Sequence, residues 1–129
     1  MSRVYFDVDD VDDELLKEYL QQYDGIAKST RYIEDLAAGL GVSPEEIIDP
    51  APFKVAELAE CYALMETAKK KSMMNGSGGE DGADAYELKR RVYAAEVSRL
   101  EAQITADTLT GGRSVRRRTF PGSIPLYRS

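Results

Sequence analysis

Residues 52–73, PFKVAELAECYALMETAKKKSM, and residues 84–104, DAYELKRRVYAAEVSRLEAQI, decide the fold. In the first stretch Val55, Leu58, Ala59, Tyr62, Met65 and Met73 form an apolar side at helical spacing. In the second, Tyr86, Tyr93, Val97, Leu100 and Ile104 step by seven, four, three and four. Leu88 and Val92 widen that stripe beyond the narrow seam of a coiled coil. Lys69, Lys70 and Lys71 suit the negative end of the first helix. Residues 75–83, NGSGGEDGA, have the composition of a linker. The two stretches together predict a long antiparallel helical hairpin whose apolar side must be covered.

Upstream, Val4-Tyr5-Phe6 reads as a short extended lead. The carboxylates of Asp7 to Glu14 stand before a helical pattern of Val11, Leu15, Leu16, Tyr19, Leu20 and Tyr23. Acidic groups favour the positive end of a helix, so the run reads as a helix start. Asp24-Gly25 is a turn signal that ends this helix. A second helix is predicted from Ile26 to Leu40, with Gly39 or Gly41 at its C-terminal cap. Ser43-Pro44-Glu45-Glu46 carries a capping box, but Pro50 and Pro52 allow only a short turn there. The expected fold is all-α: a small helical bundle over residues 1–106, dominated by the hairpin, with an extended C-terminal arm over residues 107–129.

The net charge of −6 is unevenly spread. Residues 1–24 carry −6, residues 25–106 carry −4 and residues 107–129 carry +4. An acidic body is a poor general binder of nucleic acid, because phosphate requires a cationic face. In the arm, Arg113, Arg116, Arg117 and Arg118 with Phe120 and Tyr127 are the candidate partner-binding residues. Arginine pairs bidentately with carboxylate or phosphate. The alternative reading of the same residues is a solvated tail.

The composition argues against an enzyme. The chain has no histidine, which removes the commonest general base and metal ligand. Its single cysteine, Cys61, has no histidine to activate it, cannot form an internal disulfide and reads as a buried structural residue. The acidic run fails the spacing of a calcium loop, because Val11 falls on a ligand position. The glycines of the linker lack the Lys-Ser/Thr of a phosphate loop. The glutamates of the hairpin lack the Glu-x-x-His of a di-iron bundle. No catalytic residue, cofactor or metal site is therefore predicted. No stretch is long and apolar enough to suggest a membrane span or a secretory signal, and a reducing cytosol is the simplest compartment. Tyrosine stands out, with eight residues and no tryptophan. Tyr62, Tyr86 and Tyr93 on the hairpin suit either core packing or an interface.

The layout resembles the head–tail connector, or adaptor, proteins of tailed bacteriophages and prophages. The resemblance runs over about residues 4–106. Its nearest local likeness lies in residues 55–65, VAELAECYALM, the polar loop, and residues 84–93, DAYELKRRVY, leading to Val97, Leu100 and Ile104. In that family the segment before the loop is rich in Ala and Tyr. The segment after it has Asp, Tyr, Lys and an aromatic at positions like Asp84, Tyr86, Lys89 and Tyr93. The resemblance implies a structural virion protein, copies of which form a ring between the portal and the tail. Its partners would be further copies of itself, the portal, and tail or neck proteins, with DNA passing through unbound and no membrane involved. Its place would be the virion neck, after assembly in the bacterial cytoplasm. Two other classes remain open: a nucleic-acid-associated factor that uses the Arg-rich tail, and a helical regulatory adaptor that binds a host protein.

Overall fold

A computed structural model describes residues 3–74 and 81–111. Among these residues there are five α-helices, two 3-10 turns and no strand. The helices are α1 (Glu14–Lys17), α2 (Gly25–Gly39), α3 (Phe53–Met74), α4 (Asp81–Glu101) and α5 (Ala106–Thr110). The all-α class and the α3–α4 hairpin are as predicted from the sequence. The hairpin packs along its length, and α2 covers α3 from another side.

That makes α3 the central helix. Val55, Leu58, Ala59, Ala63, Leu64, Thr67 and Ala68 are all buried, and they lie around most of its circumference. A single stripe does not describe such a helix, because neighbours press on it from several directions. Tyr62 and Met65, expected on the apolar side, are only partly buried, and Met73 is 67% exposed. The small side chains of α3 let its neighbours come close. A Cβ on Gly25 would lie 2.6 Å from Thr67 Oγ1 and 3.1 Å from the Ala63 carbonyl oxygen. Gly25 is thus the first residue of α2 at a close helix crossing, in addition to marking a turn.

α2 ends as a Schellman motif. Val42 N–H donates to the Ala37 carbonyl at 2.8 Å and Gly41 N–H to the Ala38 carbonyl at 3.0 Å. Gly41, at φ +80°, supplies the left-handed residue, which decides between the two candidate glycines. The predicted capping interaction at Ser43 is present: Glu46 Oε1 accepts from Ser43 N–H at 3.0 Å. The 3-10 turn Pro44–Glu46 then leads through Ile47, Ile48 and a cis Asp49–Pro50 bond to α3.

The N-terminal helix is much shorter than its periodicity suggested. After α1 the bonds shift to a three-residue spacing, with Tyr19 N–H on the Leu16 carbonyl at 2.9 Å and Leu20 N–H on the Lys17 carbonyl at 3.3 Å. The apolar residues still do their work, since Val11, Leu16 and Leu20 are buried. Tyr19 and Tyr23 stack with ring centroids 5.7 Å apart, and Lys71 Nζ lies 4.4 Å from the Tyr19 ring centroid. The extended lead is held down as well. Arg3 donates to the carbonyls of Ile47, at 2.8 Å, and Ile48, while Tyr5 and Phe6 are buried over the core.

The start of the arm also differs from expectation: residues 107–110 were expected to be extended, and with Ala106 they are helical. They form α5, capped by Thr105 and Thr108. Leu109 is completely buried, and its carbonyl accepts from Ile48 N–H at 3.0 Å. One buried leucine is worth about 1.5–3 kcal/mol, which explains how a five-residue helix without its own periodic signal is retained. The last turn of α4 also ends earlier than expected, at Glu101, and Ile104 is buried in the turn that follows.

Candidate functional site

Two polar places arise from the acidic run at residues 7–14, and they differ in kind. The first is a bolt between α1 and α4. One oxygen of Asp13 accepts from Leu16 N–H at 3.1 Å and so caps α1. The other accepts from Lys89 Nζ at 3.0 Å and from the Tyr93 hydroxyl at 2.6 Å. The Asp13 side chain is only 7% exposed. Burial works against its charged form, but Tyr93, Lys89 and the Leu16 amide together outweigh it and hold the carboxyl below the usual carboxylate range. Tyr93 moves the other way. Burial and the hydrogen bond to a carboxylate both keep its hydroxyl protonated. Both carboxylate oxygens of Asp13 have donors, and the group ties the start of α1 to α4.

The second place is a cleft of about 340 Å³ between the N-terminal segment and the first turns of α3. Asp7, Asp10 and Asp12 line it from one element, Glu57 and Glu60 from the other. Phe53 also lines it and is 79% exposed. Asp7 is partly used, because its side chain accepts from Asp9 N–H at 2.9 Å. Asp10, Asp12, Glu57 and Glu60 take part in no ion pair among the described residues. Burial, then the charges of Asp12, Asp10 and Glu57, push the Glu60 carboxyl up. Cys61 also lines the cleft. It is half-buried rather than fully enclosed, and burial with the nearby glutamates pushes its thiol up to about 12. It is therefore a poor nucleophile at neutral pH. Among the described residues no group of three or more carboxylate or cysteine side chains converges closely enough to hold a metal ion.

The tyrosines divide between roles. Tyr86 is buried in the hairpin. Tyr62 stacks on Tyr32 with centroids 4.1 Å apart, and the Tyr32 hydroxyl donates to Glu101 Oε1 at 2.7 Å, tying α2 to α3 and α4. Leu88 and Val92, expected to widen the buried stripe of α4, are each 60% exposed. They stand one turn apart on the outward face of the helix whose inner face carries Tyr93 and Val97. Among the described residues no helix is long and apolar enough to cross a membrane.

The candidate partner-binding residues Arg113, Arg116, Arg117, Arg118, Phe120 and Tyr127 lie outside the described residues. Sequence reasoning missed the bolt of Asp13. It read the acidic run as a helix start, which Asp13 does provide, but no local signal points to partners 76 and 80 residues away. It also missed the cleft, because no local signal brings Glu57 and Glu60 against Asp10 and Asp12. Comparison of the chain with family models, curated proteins and solved structures finds no match.

Proposed function

We propose that this chain is a non-enzymatic structural protein of a tailed-phage or prophage particle, a head–tail connector whose copies form a ring between portal and tail. The observation that carries the reading is the outward face of α4. Leu88 and Val92 present apolar surface on a helix that is fixed from within by Tyr86, Val97, Leu100 and the Asp13 bolt. An apolar patch on an otherwise charged wall marks a contact surface. A contact between unlike faces of successive copies closes into a ring when the rotation allows it. An acidic body suits a channel through which DNA passes without sticking. The arm, with Arg113, Arg116, Arg117, Arg118, Phe120 and Tyr127, reaches a neighbouring copy or the portal in this reading. The reading calls for no cofactor, metal or membrane, and it places the assembled protein in the virion neck.

Light scattering of the pure chain, alone and mixed with a portal ring, tests it. A ring-sized mass in the mixture is expected, and Leu88→Glu with Val92→Glu should abolish it while leaving helicity unchanged. A stable monomer in both samples overturns the connector reading. Capture of one host protein by that monomer would point to a regulatory adaptor. DNA affinity that falls steeply with salt would point to a nucleic-acid factor.

A further inference from the structure

The acidic cleft has a supplier of positive charge within the same chain. We propose that, in the free subunit, the cleft beside α3 is the seat of the chain's own segment from Arg113 to Phe120. The inference does not depend on the connector reading, which concerns where the arm goes once a partner is present.

Three observations lead to it. The first is charge. Asp10, Asp12, Glu57 and Glu60 line one cleft and have no ion-pair partner among the described residues. Arg99, whose charge acts on Glu57, is already paired with Glu96. Residues 107–129 carry the opposite charge, with four arginines between positions 113 and 118. Carboxylates spread along two walls do not converge on one point, as a metal ion requires. A row of guanidinium groups, each planar and forked, meets that spread directly.

The second is shape. Phe53 lines the cleft with its side chain 79% exposed, beside carboxylates that on their own would draw only water. A segment that carries Phe120 two residues after its last clustered arginine offers an aromatic ring to Phe53 while the guanidinium groups face the acids. A simple inorganic cation has no use for Phe53.

The third is reach. The described chain ends at Gly111, which packs on Ile48: a Cβ there would lie 3.3 Å from Ile48 Cδ1. Ile48 stands five residues before Phe53, so the two backbones are at most about 17 Å apart. Nine residues, from 112 to 120, extend to about 30 Å, so the segment spans the gap with length in hand. The N-terminal wall lies at the same end of the molecule, because Arg3 holds the carbonyls of Ile47 and Ile48 and Phe6 lines the cleft. A tether this short sets an effective concentration on the order of millimolar, which favours the chain's own segment over that of a second copy in dilute solution.

The chain's single cysteine supplies the test, because Cys61 lines the cleft. In the full chain carrying Thr119→Cys, the intramolecular disulfide to Cys61 is measured at equilibrium in a glutathione redox buffer, by mass and on a non-reducing gel. Ser129→Cys, further along the arm, serves as the reference. The Thr119→Cys pair is expected to form at an effective concentration about tenfold above the reference. Glu57→Lys with Glu60→Lys should bring the two to one level, and adding Arg116→Glu with Arg117→Glu should restore the difference. About 1 M salt should erase it. Equal levels in the unaltered background, or no response to the charge reversals in a protein of unchanged helicity, overturn the proposal. Disulfides between chains that rise with protein concentration place a second copy's arm in the cleft and overturn the seat within one chain. No portal is present in this experiment, so its failure leaves the connector reading standing, and failure of the scattering test leaves this one untouched.

Discussion

The junction of α1 with α4 and the cleft beside α3 draw on the same acidic run, and the fold uses its members in opposite ways. At the junction Asp13 is buried, and each of its oxygens has a donor. In the cleft Asp10 and Asp12 face Glu57 and Glu60 without an ion-pair partner among the described residues. Asp12 and Asp13 are adjacent in the sequence, yet one carboxylate holds the structure together and the other repels its neighbours. Charge near charge is thus stabilising or destabilising according to which donors the tertiary fold brings within about 3 Å, and local composition does not decide it.

The largest expected break in that comparison is Asp13→Ala. It leaves Lys89 and Tyr93 without their acceptor and removes the cap of α1, at a cost of about 3 kcal/mol in urea denaturation. The same bond sets an acid sensitivity. Because the folded-state pKa of Asp13 is depressed, its contribution is present above the ordinary carboxylate range and is lost as pH falls through the lowered value. Stability measured from neutral pH downward should show that loss in the wild type, and the corresponding component should be missing in Asp13→Asn.

Tyr93→Phe is expected to cost about 1 kcal/mol, since it removes one hydrogen bond but leaves the Lys89 ion pair in place. Asp12→Ala, next to the bolt, should change stability by less than about 0.5 kcal/mol. A loss as large as that of Asp13→Ala would show that the two carboxylates are not distinct.

Glu60→Gln should act in the opposite direction. The folded-state pKa of Glu60 is raised, so the associated stability is full below the unfolded value and is lost as pH rises through the folded one. In a chain ending at Gly111, without the basic segment, replacing the carboxylate at neutral pH is therefore expected to stabilise the protein, by about 0.5 kcal/mol after solvent screening. The gain should shrink in acid and in salt. In the full chain the gain should be cancelled or reversed, because the segment from Arg113 to Phe120 then supplies positive charge to the cleft; an equal gain in both chains would mean that the cleft holds no positive charge.

Much of the fold was legible before the structure. The periodicity of residues 52–73 and 84–104, a glycine cap at the end of α2 and the Ser43–Glu46 interaction are each set within a turn or two of chain. The errors cluster where burial was inferred from one helix alone. Leu88 and Val92 belong to an apolar stripe by spacing, but α3 and α2 do not cover that side of α4, and they remain exposed. Residues 106–110 carry no helical period, and only Leu109 meeting Ile48 makes them part of the bundle. Neither half of the candidate site could be read locally, because the Asp13 bolt and the Glu57–Glu60 wall both depend on elements far apart in sequence.

By itself, then, the sequence determined the helical class, the hairpin, its turns and caps, and the separation of an acidic body from a basic arm. Those features depend on backbone hydrogen bonds and side-chain spacing over three or four residues. The tertiary structure alone decided that α3 is central, that α5 closes the bundle, and that Asp13, unlike Asp12, is paired among the described residues. Burial and ion pairing are properties of two surfaces meeting, and a single amphipathic segment specifies only its own.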